Sequence, residues 1–175
     1  MSFFQRTEDF QPEGFEDVVG ELVDSIRRSF TGIVVDQLED LLATPDRHMC
    51  LVDRHVSLTE DDRDYTVDLL LFHVTQMRYI AIQVQAGRFD PALVARARYT
   101  LGLVDDLIRV PEVHGPTVGV LLCTDAAADQ QPGPVAITLY DGVAAAEQAE
   151  LPLSLELTAL IDRCIDTTGS RPSAP

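Results

Sequence analysis

The sequence contains no lysine and no tryptophan, and its three cysteines (Cys50, Cys123 and Cys164) show no CxxC spacing. An odd number of widely spaced thiols defines neither a disulfide framework nor a paired-cysteine metal site. Cys50 and Cys123 lie inside apolar runs, where a free thiol behaves as a small hydrophobe. The four histidines are scattered, with no pair at metal-ligand spacing. No apolar run approaches the roughly 20 residues that cross a bilayer, so a membrane partner is not expected. MSFFQRTEDFQPEGF has no apolar core or cleavage site of a leader peptide, and the expected location is the cytosol.

The absence of lysine also shapes the charge. All 13 bases are arginine, against 29 acids, for a formal net charge of −16. Residues 1–45 carry 10 acids and 3 Arg, residues 46–110 carry 10 acids and 8 Arg, and residues 111–175 carry 9 acids and 2 Arg. The acidity therefore sits in the flanks, and the arginines gather in the middle. A chain this negative repels a phosphate backbone, whose neutralisation supplies most non-specific affinity. Nucleic acid is thus a disfavoured partner, and the acidic flanks suit a protein with a basic surface.

What is present fits one domain of 175 residues. Val18, Val19, Leu22, Val23 and Ile26 recur at helical spacing, and Ile33, Val34, Leu38, Leu41 and Leu42 continue the apolar face. Gly32 is expected to break this stretch into two helices, and Thr44-Pro45-Asp46 to end it. Three strand-like runs follow, Met49 to Leu58, Tyr65 to Val74 and Arg78 to Gln85, the last two close enough for an antiparallel hairpin. Asp90-Pro91 opens a helix as N-cap and first-turn proline. Val118 to Cys123 reads as a strand buried on both faces. Val135 to Tyr140 is a further strand, and Leu155 to Cys164 a last helix. The order predicts an α/β (α+β) domain with a mixed β-sheet flanked by helices.

Strand alternation sets Gln83 and Gln85 on one face of the third strand, at the end of a mostly apolar segment. In the second strand Asp68 stands between Val67 and Leu69, a carboxylate that needs a partner, a metal or water. A strand aspartate facing two polar residues at i and i+2 matches the layout of a PD-(D/E)XK nuclease site. There, paired carboxylates hold Mg²⁺ through hard oxygen ligands, and a lysine helps activate water.

The likeness extends along the chain. Asp64, Asp68, Leu69, Leu70, Phe72 and His73, then Ile82, Ala86, Gly87 and Phe89, resemble successive elements of the C-terminal nuclease domain of the YhcG-like family. Tyr99, Asp105 and Asp106 match the helix that follows, and Gly119, Leu122 and Cys123 the next strand. The resemblance covers roughly residues 46–145 and implies a restriction-endonuclease-like core. It also implies where the catalytic residues stand: Asp68, with Gln83 and Gln85 at the family's Glu and Lys positions. Gln83 brings no charge to a metal, and Gln85 supplies no ammonium. The resemblance therefore implies a degenerate site without a cofactor, or a weak Mg²⁺ or Mn²⁺ site built from Asp68, Gln83 and a remote Glu39 if activity remains. It is also compatible with a homodimer.

The same residues admit plainer roles. Asp68 is equally satisfied by Arg54 or by backbone donors, and Glu39 by a surface position. Asp105 and Asp106 suit helix-end or arginine contacts, and Arg88, Arg96 and Arg98 either phosphate contact or a solvated face. Three regions are expected: an acidic helical extension at 1–30, standing where the family carries an N-terminal helical domain, a nuclease-like domain at 31–165 and a disordered tail at 166–175.

Overall fold

The computed structural model of the chain describes residues 15–168. Helix α1 runs unbroken over Phe15–Leu42. The break expected at Gly32 does not occur. One glycine inside a helix costs only about 1 kcal/mol, and Phe30, Val34, Val35 and Leu38 are buried on either side of it. The part of the 1–30 extension that lies among the described residues is thus the first half of α1, and residues 1–14 lie outside them. Val18, Val19, Leu22, Val23 and Ile26 keep their helical spacing but are 39 to 64% exposed.

A short 3-10 turn at Pro45–Arg47 follows, and His48, at φ 55°, leads the chain into the sheet. Strands β1 (Met49–Glu60), β2 (Arg63–His73) and β3 (Arg78–Arg88) form an antiparallel meander. The β1–β2 turn places Asp61 and Asp62 at φ 48° and 59°, a left-handed pair that aspartate tolerates and that matches the twist of a hairpin.

Helix α2 (Pro91–Leu107) opens where the sequence predicts, its Asp90 carboxylate accepting the Ala92 N–H at 2.8 Å. It returns the chain to β4 (Val118–Asp125), parallel to β3, and β5 (Val135–Leu139) adds antiparallel to β4. A single turn, α3 (Ala145–Gln148), precedes α4 (Ser154–Thr168). Helix α4 extends into the segment expected as a tail, of which residues 169–175 lie outside the described part.

The sheet order is β1-β2-β3-β4-β5. Helices α1 and α4 cover one face, on Leu69, Leu71, Ile80, Ile82 and Leu122. Helix α2 covers the other, with Leu103 and Val104 against Leu70 and Ala81. It crosses β4 at Gly119, where a Cβ would stand 2.7 Å from Leu101 Cδ2, so the glycine sets the helix–sheet distance. β4 is apolar from Val118 to Cys123 because both its faces are covered. β1 is an edge strand with a largely exposed pattern, and Cys50, read as a small hydrophobe in an apolar run, is exposed there, while Cys123 and Cys164 are buried. Among the described residues no helix is long and apolar enough to cross a membrane.

Leu122 is fully buried. Leu122→Ala should therefore cost about 2–5 kcal/mol in urea denaturation, while Asp90→Ala, which removes only the cap, should cost about 1 kcal/mol.

Candidate functional site

The polar residues singled out by the sequence gather where the sheet divides. β2 and β3 pair from His73↔Arg78 to Leu69↔Ile82 and no further. Beyond that point β2 stays with β1 as far as Arg63, and β3 stays with β4 through Gln85↔Cys123. The two central strands splay apart like a fork, and their facing backbone groups lose their ladder partners.

Side chains span the gap. Asp68 Oδ2 accepts the Val84 N–H at 2.7 Å, and Gln83 Nε2 donates to the Thr66 carbonyl at 3.0 Å. The Gln83 amide also reaches the Thr100 hydroxyl on α2 at 3.5 Å. Asp68 thus finds one of its two anticipated partners, a backbone donor. The other, Arg54, is engaged elsewhere: it donates to Glu39 at 2.5 Å and Asp36 at 2.6 Å.

Gln83 and Gln85 both open onto a cleft of about 160 Å³ on the α2 side, bounded by Thr66, Leu93, Arg96 and Leu121. Glu39, on α1, belongs to the opposite face of the sheet and is held by Arg54, so it does not join Gln83. Of the arginines considered for phosphate, Arg96 borders the cleft, whereas Arg98 pairs with Asp141. Asp105 takes the structural role anticipated for it, accepting the Thr117 N–H at 3.0 Å and pairing with Arg109.

His55 was not anticipated. It lies across β1–β2 from Asp68, with Nδ1 3.8 Å from the carboxylate, and holds φ 51°. A left-handed histidine in a strand is uncommon, and nothing in the sequence around it signals the kink. The pairing of Tyr65 with Tyr99, ring centroids 5.1 Å apart, was missed as well, since one belongs to β2 and the other to α2. They line a neighbouring groove with Arg63 and Arg96.

Burial raises the Asp68 carboxyl above its ordinary value of 3.8, with the Val84 N–H and His55 pulling the other way. The donor set does not fit a Mg²⁺ or Mn²⁺ ion. Such ions favour several hard, anionic oxygens, whereas the fork offers two neutral amides and one carboxylate whose Oδ2 already holds a backbone N–H. Among the described residues no group of three or more His, Cys, Asp or Glu side chains is placed to hold a metal.

A family model described as the YhcG PDDEXK nuclease domain matches residues 19–132, from α1 to the loop before β5. No curated protein and no solved structure matches the chain.

The raised carboxyl gives a signed expectation. The folded state keeps the Asp68 proton to higher pH than the unfolded chain, so stability falls as pH rises from 3.8 through the folded-state value. Asp68→Asn retains an acceptor for Val84 and should remove this slope, with no loss of stability at neutral pH. Asp68→Ala removes the slope too but orphans the Val84 N–H, and should be about 1–3 kcal/mol less stable than Asp68→Asn at every pH. Urea titrations across pH check both.

Proposed function

The chain belongs to the YhcG PDDEXK nuclease domain family, and from that premise we propose that it is a catalytically degenerate member acting through protein–protein contact, as an interaction or regulatory subunit. The observation that carries this is the state of the fork. Gln83 and Gln85 occupy the positions that the family resemblance gives to the metal-binding glutamate and the lysine, and the remaining carboxylate, Asp68, is committed to the Val84 N–H. Phosphodiester hydrolysis needs charge to polarise the phosphate and to activate water, and neither amide supplies it. The acidic flanks favour a partner with a basic surface.

The test is plasmid nicking and calorimetric titration with Mg²⁺ and Mn²⁺. The wild-type chain should neither cleave nor bind either ion, and Gln83→Glu with Gln85→Lys should gain metal affinity and nicking together. Metal-dependent cleavage by the wild-type chain that Asp68→Ala abolishes would overturn the proposal in favour of an active, atypical endonuclease.

One observation favours a second reading, a module that retains nucleic-acid binding without cleavage. Arg63 and Arg96, held in no ion pair among the described residues, flank the Tyr65–Tyr99 pair beside the cleft. Aromatic rings stack on unpaired bases, and guanidinium groups bind phosphate. Under this reading single-stranded DNA shifts in a gel at low salt, and Arg96→Ala reduces the slope of log affinity against log salt by about 1. Absence of any shift at low salt excludes it.

A further inference from the structure

His73 is fully buried at the end of the β2–β3 ladder away from the fork, where it stands opposite Arg78. The turn that follows holds its ring. Nδ1 accepts the Gln76 N–H at 3.3 Å and lies 3.2 Å from the Thr75 hydroxyl. A backbone N–H can only donate, so Nδ1 presents its lone pair and Nε2 carries the proton. That proton has no acceptor among the described residues. The nearest carboxylate oxygen, Glu150 Oε2, stands 3.8 Å away.

The same turn fastens a stretch distant in sequence. Gln76 Nε2 donates to the Glu147 carbonyl at 2.9 Å and to Glu150 Oε2 at 3.2 Å, and Arg78 donates to Glu147 Oε2 at 3.0 Å. The connection between β5 and α4, with α3 in its middle, is thereby clasped to the sheet. Just beyond the clasp Leu151 is buried in the main core. The clasp depends on where Gln76 sits, and the Gln76 N–H is anchored on His73.

We propose that His73 is a proton-operated latch: neutral, it closes the β2–β3 turn and the clasp on residues 141–153, and protonated, it releases both. The added proton must go to Nδ1, the one ring nitrogen with a free lone pair. It then sets an N–H against the Gln76 N–H, and the charged ring lies where no water reaches it. The charged and titratable groups that face the ring come from every side of it: His48 ahead of β1, with ring centroids 6.3 Å apart, Arg78 on β3, and Glu147 and Glu150 of the clasp. Glu147 is matched by Arg78, so Glu150 alone favours the charged ring.

Burial, joined by His48 and Arg78, holds His73 below its ordinary 6.5 against the pull of Glu150. A base depressed in the closed state binds fewer protons closed than open. Opening therefore grows as pH falls from 6.5 towards the closed-state value and is absent above 6.5.

The latch shares no residue with the fork, so it stands or falls separately from the nicking assay. The experiment is amide hydrogen exchange of the full chain at pH 7.5 and 5.5, corrected for the intrinsic rate at each pH. Protection of residues 74–77 and 141–153 should fall at pH 5.5, by at most about tenfold per pH unit, the limit for one titrating proton, while β4 is unchanged. His73→Asn offers an acceptor near the Nδ1 position but takes up no proton, and should stay closed at both pH values. Glu150→Gln, at an exposed position, keeps an acceptor for Gln76 and should move the opening to lower pH; it decides the matter where circular dichroism shows His73→Asn unfolded. Equal protection of 141–153 at both pH values in the wild-type chain would overturn the proposal. So would a loss of protection that a folded His73→Asn chain retains, or a midpoint that Glu150→Gln leaves in place.

Discussion

The site depends on one bond across the open end of the sheet, from the Val84 N–H to the Asp68 carboxylate. β3 parts from β2 after Ile82 while it continues along β4, and at the point of departure its backbone groups on the β2 side have no strand to bond. A buried N–H left without an acceptor costs as much as a lost hydrogen bond. Asp68 meets that need on one side, and Gln83, by donating to the Thr66 carbonyl, on the other. The same splaying opens the cleft that α2 roofs. Fold and cleft therefore have a common origin, and the polar residues nearest the cleft are also those that close the sheet.

Much of this was legible because it is periodic. The three meander strands, the β4 run and the Asp90-Pro91 helix start each follow from local pattern or capping chemistry, and the structure places them within a few residues of expectation. The misses are those in which tertiary contact overrode a local signal. Gly32 was read as a break, but burial of Phe30 and Val34 on either side carries the helix through. Cys50 was read as a small hydrophobe because its neighbours are apolar, yet it lies on an edge strand whose pattern is largely exposed. The apolar residues from Val18 to Ile26 give no sign in one dimension that the sheet ends before it reaches them.

The candidate site was legible in part, for a related reason. Asp68, Gln83 and Gln85 stand out as polar residues in apolar strands, and strand order brings them to one place. Glu39 did not come with them, because the side of the sheet on which a helix lands is not written in its own sequence, and Arg54 captures it there. His55 and the tyrosine pair could not be found, since each depends on a register or a packing contact between distant elements.

The identity of residue 83 couples stability to chemistry. An amide at this position donates to the Thr66 carbonyl. A glutamate there would place an acceptor against an acceptor, a repulsion that a cation between the two strands relieves. In this chain the fork is held by hydrogen bonds alone, from the Val84 N–H to Asp68 and from Gln83 to the Thr66 carbonyl. Gln83 therefore supplies the donor that lets the strands remain splayed without an ion. Position 85, with no backbone acceptor to satisfy, carries its amide into the open cleft. On this view the cleft exists because the two strands part after Ile82, and its polar lining reflects the stability of the fork before any chemistry within it.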